Sequence, residues 1–399
     1  MQFDKRRVLM LLENNPYPQD SRVRQEASSL ANAGYRVTVI APRSPDQTWN
    51  ETIDSVRVCR FPSPPDANGS VGYLLEYGYA MTAIFVIAFW AYLRDGFDIV
   101  HTHCPPDAFV LIAIFFRLLG KKFIYDHHDL SPEMYCARFE GNCNQFFLRA
   151  LTFLEKLSCR FSDHIIATNQ SYKTIEIERG GAPEEGITIV RNGPDLNLLQ
   201  PTEPIPELQN RASIVIGYVG VMGVQDGVGH LLRALHHLVH DQGKTDFLCV
   251  MIGSGEALPS LKILSEQLQI TDNVFFTGWI NFAEVARYIS TIDIAIAPEP
   301  SNPYNDRSTF IKVMEYMALG KPIAAFDLPE TRFSAQDAAS YARPNDESDF
   351  ALKIAMLMDD TERRKKMGES GRRRVNKVLA WEHQEKHLLE AYRLVVEKI

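Results

Sequence analysis

The chain has no Cys-x-x-Cys pair, no excess of positive charge, no G-x-G-x-x-G turn after its first strand and no uncharged run beyond 17 residues. Each absence excludes something. Six cysteines (Cys59, Cys104, Cys136, Cys143, Cys159, Cys249) lie scattered, and Cys136 and Cys143 lack further ligands at metal-site spacing. No metal site is therefore expected. Met1 to Arg7 is charged and Val8 to Leu12 is too short for a secretion signal, so the expectation is a cytoplasmic protein with reduced thiols. A net charge of −8 gives no electrostatic support for a nucleic-acid partner. The missing glycine fingerprint removes the main support for an NAD-dependent oxidoreductase. The uncharged run, Tyr77 to Leu93, is about 25 Å long as a helix, short of the roughly 30 Å hydrocarbon core. It reads either as a core helix or as an apolar surface on a membrane, since it holds Tyr77, Tyr79, Phe85, Phe89, Trp90 and Tyr92.

What is present is ordered. The composition is globular, at 45% apolar and 23% charged, and 399 residues suit two domains. Val8–Leu12, a loop, the helical pattern Ser21–Ala33 and Val37–Ala41 open a doubly wound parallel sheet. Strands are expected at Val56–Phe61, Ile99–His103, Phe123–Asp126, His164–Thr168 and Ile187–Arg191, with a loop from Phe61 to Gly72. Leu196 to Arg211 has three prolines and no periodicity, and reads as a linker. A second series follows, with strands at Ile214–Val219, Phe247–Ile252, Val274–Thr277, Ile294–Ala297 and Ile323–Phe326. The bounds are 1–195 for the first domain, 196–212 for the linker, 213–380 for the second domain and 381–399 for a helix returning to the first. Asp359 to Lys377 is rich in Lys and Arg and reads as a solvated helix face or a membrane-surface patch.

In such sheets ligands sit beyond the carboxyl ends of the strands. That selects Asp20, Arg22 and Arg24 after the first strand, His103 after HTH, and His128 and Asp129 in YDHHD. It also selects Ser301–Pro322, where Ser308 or Thr309 can cap a helix carrying Lys312 and Glu315 on one side. A helix start behind a polar loop, with a lysine one turn in, suits a phosphate.

These motifs together resemble the retaining glycosyltransferases of family 4, of the bacterial surface-polysaccharide or O-antigen type. The carriers are GYVGVMG (217–223), IGSGEALPSLKILSEQL (252–268), NVFFTGWI (273–280), IDIAIAP (292–298) and KVMEYMALGKPIAAFD (312–327), with DSRVRQEASSLANAGYRVTVI and YDHHDLSPE before the linker. The resemblance implies the GT-B fold, two Rossmann-like doubly wound domains facing across a cleft. The first would bind acceptor and the second the nucleotide sugar. It implies Glu315 on the donor ribose and backbone contacts from Thr309, Phe310 and Ile311 to donor sugar or diphosphate. Gly220, Gly223, Gly253 and Gly255 would lie along the nucleotide, and His128 near the donor sugar. Two departures stand out. The first Glu of the family's Glu-x7-Glu pattern falls on Arg307, and its diphosphate-gripping Arg and Lys fall on Val221 and Asp226. Lys312 and Arg307 are then expected to carry the diphosphate charge, with His128 and Asp129 the other catalytic candidates, and Asp20, Arg22, Arg24 and His103 lining the cleft. No cofactor is expected beyond the co-substrate, a UDP-sugar. The acceptor would be a saccharide, free or lipid-linked, with peripheral membrane contact at the inner face of the cytoplasmic membrane. The alternatives are a non-catalytic partner in a polysaccharide assembly complex and a UDP-sugar 2-epimerase of the same fold.

Overall fold

A computed structural model describes residues 6–63, 69–139 and 141–397. The chain divides into two compact units. The first holds strands β1 (Arg7–Leu11), β2 (Arg36–Arg43), β3 (Asn50–Ile53), β4 (Val56–Pro62), β5 (Ile99–His103), β6 (Lys122–His127), β7 (His164–Ala167) and β8 (Ile187–Ile189). They form one sheet in the order β3-β4-β2-β1-β5-β6-β7-β8, and only β3 is antiparallel to its neighbour. The connecting helices are α1 (Ser21–Asn32), α2 (Gly69–Arg94), α3 (Phe109–Leu118), α5 (Gln145–Phe161) and α6 (Gln170–Glu178), while α4 (Ser131–Arg138) belongs to the second unit from Glu133 onward. Parallel strands are covered on both faces, so they read as continuous apolar runs. Val8 to Leu12 and Ile99 to Val100 are buried without alternation for that reason.

The second unit holds β9 (Val215–Val219), β10 (Leu248–Ile252), β11 (Val274–Gly278), β12 (Ile294–Ala297), β13 (Ile323–Phe326) and β14 (Ala339–Ala342). All neighbours are parallel, in the order β11-β10-β9-β12-β13-β14. Helices α7 (Pro206–Gln209), α8 (Val228–His236), α9 (Leu258–Gln267), α10 (Phe282–Thr291), α11 (Ile311–Ala318), α12 (Pro329–Ala335), α13 (Glu347–Asp359) and α14 (Thr361–Arg374) accompany them. The two faces of this sheet follow the pleat. Ile216, Cys249, Met251, Ile294, Ile296 and Phe326 pack toward α8 and α13. Val215, Val250, Ala295, Ala297 and Ala325 pack toward α10 and α11. The small side chains on that second face leave room for Val313, Met314, Tyr316 and Met317 of α11. The last helix, α15 (Trp381–Val396), belongs to the first unit from Gln384 onward. There the Tyr392 hydroxyl lies 2.8 Å from His101 Nδ1, and its ring meets Tyr35 edge-on.

Four expectations need correction. Cys136 and Cys143 form a disulfide, because the turn after α4 brings their Cα atoms to 4.9 Å. Cys59, Cys104, Cys159 and Cys249 are free and buried. The apolar helix α2 runs for 26 residues, from Gly69, so the expected loop to Gly72 ends earlier. Residues 64–68 of that loop lie outside the described residues. At 1.5 Å per residue α2 is about 39 Å long, which removes the length argument against spanning. Its packing gives another: Ala80, Ile84, Ala88 and Ala91, spaced by helical turns, are buried against β2 and β4. Helix α11 begins at Ile311 with Phe310 as N-cap and no side-chain cap bond, so neither Ser308 nor Thr309 caps it. The Ser308 hydroxyl instead donates to the Tyr304 carbonyl at 2.9 Å. The basic stretch at 361–374 is partly structural, since Arg364 caps the Leu357 and Met358 carbonyls and Arg374 bonds those of Phe333 and Ser334.

Candidate functional site

In the second unit the carboxyl ends of β9, β10 and β12 meet the start of α11. Two glycine turns lie against each other there. Gly220 has φ +151° and Gly253 φ +128°, and a Cβ on Gly253 would stand 2.0 Å from the Gly220 carbonyl oxygen. A Cβ on Gly255 would stand 2.5 Å from the Met222 oxygen. The turns are stitched by Met222 N–H donating to Ser254 O at 3.0 Å. Only glycine allows this backbone approach. The Tyr316 hydroxyl ties the end of β9 to β12, accepting from Val219 N–H and donating to Ile296 O.

Lys312 sits under the first turn. Its ammonium donates to Glu299 Oε1 at 2.6 Å and to the Tyr218 hydroxyl at 3.1 Å, and stands over the Tyr218 ring. A Cβ on Gly220 would meet its Nζ at 3.0 Å. Burial pushes the Lys312 ammonium toward deprotonation, but the Glu299 carboxylate overcomes this and holds its pKa well above the usual lysine range. Lys312 is therefore not a lone cation. Glu299 and Tyr218 are site residues that sequence reasoning missed; Glu299, buried at the end of β12, lies 13 residues before its partner.

The remaining charges are arranged tightly. Asp226 accepts from Gly223 N–H at 3.0 Å and closes the glycine loop. Burial pushes its carboxyl up to about 6, with Lys312 pulling down and Glu299 pushing up. Val221 is 63% exposed and offers no charge. Arg307 turns back to the Pro303 carbonyl of its own loop. Glu315 lies one turn along α11, half-buried, and its carboxyl has no hydrogen-bond partner among the described residues. Burial raises its pKa to about 7 against the opposing pull of Lys312. Thr309, Phe310 and Ile311 form the entry to α11, where the absence of a side-chain cap leaves first-turn N–H groups for a ligand. The arrangement offers open backbone donors, one buried ammonium and one unsatisfied carboxyl, a set that can bind a phosphate beside a hydroxylated group.

The first unit holds a separate cluster of charge. Arg22, in the first turn of α1, makes two bonds to Asp126, Nε to Oδ2 at 2.8 Å and a terminal nitrogen to Oδ1 at 2.7 Å. The same guanidinium lies 3.2 Å from Glu26 and donates to the Val190 carbonyl. His103 Nδ1 and His128 Nδ1 stand 2.9 and 3.2 Å from Asp126 Oδ2. Burial would raise Asp126, but Arg22 and His128 hold it well below the usual carboxylate range. Burial likewise would lower His128, and Asp126 overcomes it and raises that imidazole. Burial lowers His103 and, together with the neighbouring His103, lowers His101 well below the usual histidine range. Glu26, His101, His103 and Asp126 bring four possible ligand atoms within 4.8 Å. The cation bonded to that group is Arg22.

Two expected cleft residues thus prove buried: Arg22 is 5% exposed and His103 0%. Strand alternation splits HHD. His128 joins Asp126, while His127 points the other way, to Glu176 at 3.1 Å. Asp20 caps α1 by accepting from Val23 N–H, and Arg24 is half-buried in the same first turn. The Asp129 carbonyl accepts from Cys104 Sγ.

Comparison with known proteins covers both units. Residues 20–198 match the family described as Glycosyltransferase Family 4, and residues 213–360 match that described as Glycosyl transferases group 1. A putative teichuronic acid biosynthesis glycosyltransferase, TuaH of Bacillus subtilis (strain 168), is 26% identical over 225 residues. That alignment covers 54% of this chain and 54% of the relative, so the chain spans about half the length of that relative. Sucrose-phosphate synthase from Thermosynechococcus elongatus superposes with a TM-score of 0.81 at 18% identity, over 99% of this chain and 100% of the other. Anabaena HepE in complex with UDP-glucose gives 0.74 at 16% identity, over 97% and 99%. At these identities the structural likeness shows the fold.

Proposed function

Since the chain is a glycosyltransferase of the family 4 type with the GT-B fold, we propose that it moves a sugar from a UDP-sugar to a lipid-linked saccharide, retaining the anomeric configuration, in the assembly of a bacterial surface polysaccharide. The observation that carries the donor reading is Glu315: a half-buried carboxyl with no hydrogen-bond partner among the described residues, one helical turn from the Lys312 ammonium. The fold relative HepE binds UDP-glucose. In this reading Glu315 accepts the ribose hydroxyls, and the N–H groups at Phe310 and Ile311 meet the diphosphate. Gly220 and Gly253 let the backbone come close to it. As the bond from the anomeric carbon to the diphosphate breaks, negative charge grows on the leaving group. Preorganised donors aimed at that charge lower the barrier, and Lys312 is the cation placed to turn from Glu299 toward it. His128, raised by Asp126, stands as the candidate for the donor-sugar side.

Donor affinity should depend on pH through Glu315. Its carboxyl accepts from two hydroxyls most strongly when ionised, and its pKa in the free protein is raised to about 7. Affinity is then full above that value and falls as pH drops through it, by about tenfold per unit well below it. Calorimetric titration between pH 6 and 8 with a UDP-sugar, which lacks the terminal phosphate of UDP that titrates at about 6, should show this slope, and Glu315→Gln should bind more weakly and with less of it. Asp226, with its carboxyl pushed up to about 6, leaves a smaller slope in the Gln variant, so a slope there equal to that of the parent rules out the ribose assignment. Val221 and Asp226, in place of two cations, motivate the second reading, a non-catalytic partner; failure to bind any nucleoside diphosphate, UDP, GDP or dTDP, would support it. Transfer assays with UDP-, GDP- and dTDP-sugars, followed by proton NMR of the anomeric coupling, decide donor and stereochemistry.

A further inference from the structure

The stripe of α2 opposite its buried face is apolar and open. Val86 is 59% exposed, Trp90 46% and Leu93 68%. Helix α3 continues the surface: Phe85 and Phe89 meet Phe115, and Leu118 is 82% exposed. No charge interrupts α2 between Glu76 and Arg94. Contiguous exposed apolar patches of this kind are interaction surfaces.

What covers it is indicated by the charge at its edge. At the carboxyl end of α2, Arg7, Arg36, Arg57 and Arg94 line a cavity of about 450 Å³, with Asp95 as the one acid among the described residues of its wall. Asp95 pairs with Arg57 and lies 3.8 Å from Arg94. The guanidinium groups of Arg57 and Arg94 stand 5.7 and 4.8 Å from the Trp90 ring centre, so this indole joins the apolar stripe to the basic cavity. Four arginines gathered here run against a net charge of −8 for the chain. An apolar face, a tryptophan at its border and arginines beyond match the layering of acyl chain, interface and anionic headgroup. Because α2 is packed on the sheet along its other stripe, it can lie along a bilayer but cannot be surrounded by lipid.

We propose that the first unit docks on an anionic bilayer through the outward faces of α2 and α3, with a lipid headgroup phosphate held by Arg7, Arg36, Arg57 and Arg94. This does not rest on the transferase reading. The test is flotation of the full chain with vesicles of phosphatidylglycerol and phosphatidylcholine, and with phosphatidylcholine alone. The chain should float with the anionic vesicles only. The pair Leu93→Asp and Leu118→Asp should lose at least about tenfold in partitioning. The pair Arg7→Glu and Arg36→Glu should lose more than about tenfold, since each arginine near an anionic surface is worth roughly fivefold, and salt of about 0.5 M should reproduce that loss. All four positions are at the surface, so melting temperatures should match the parent chain. The inference is overturned if the parent chain stays with the buffer or if the variants float equally. A lipid-free dimer that the Leu variants dissociate would overturn it in favour of a second copy, and resistance to carbonate extraction would overturn it in favour of spanning.

Discussion

Lys312→Ala is expected to lower kcat/KM for transfer by at least about 10²–10³, the typical effect of removing one preorganised donor to a developing oxyanion. It should also destabilise the protein. Glu299 is 1% exposed, and its carboxylate would be left without the ammonium that now lies 2.6 Å away. Breaking a buried pair from one side costs about 3–5 kcal/mol, and the Tyr218 hydroxyl would lose its contact as well. The double variant Lys312→Ala, Glu299→Gln separates the two effects. It should recover much of the melting temperature, because no uncompensated charge remains, yet stay inactive. Normal turnover in the single variant would remove Lys312 from the reaction.

The second large effect is expected at Arg22. Arg22→Met keeps the volume of the side chain but leaves Asp126 and Glu26, both 0% exposed, without their cation. The same one-sided loss of about 3–5 kcal/mol applies, read as a fall in the urea midpoint with an unchanged slope. The penalty should depend on pH in a defined direction. In the parent chain Asp126 has a depressed pKa, so its contribution is present above the unfolded carboxylate value and is lost as pH falls through the folded one. Without Arg22, burial of Asp126 is opposed by His128 and the bond to His103 alone, so the variant weakens as pH rises and His128 gives up its proton. The gap between the two proteins should therefore widen from pH 5 to pH 8, and Asp126→Asn added to Arg22→Met should narrow it. A gap independent of pH would mean that packing, not charge, is what Arg22 supplies.

The parallel strands were legible because both faces are covered: apolar runs such as Val8 to Leu12 and Ile294 to Ala297 have few other readings. Two of the four edge strands, NETI in β3 and ASYA in β14, were not, since both are short and hold few large apolar residues, whereas the edge strands β8 and β11 were. The glycine turns were legible as turns, but not the reason for them, which is the 2.0 Å approach of Gly220 to Gly253. Charge partners were hardest. Arg22 and Asp126 lie 104 residues apart, and Lys312 meets Glu299 only because β12 and α11 are joined by a folded-back loop. A cysteine pair seven residues apart carries no signal for its own turn; only the geometry of the segment after α4 shows that it closes.

The placement of α15 bears on the order in which the protein can be made. Unit one takes in residues from Gln384 onward, and there Tyr392 covers His101 and Tyr35. Synthesis runs from the amino terminus, and domains generally fold as they emerge. Here the first unit lacks one wall until the residues from Gln384 onward have left the ribosome, whereas residues 192–383 of the second unit are all available before that wall appears. The earlier residues of the first unit must wait, with His101 uncovered, for a helix that begins only at Trp381.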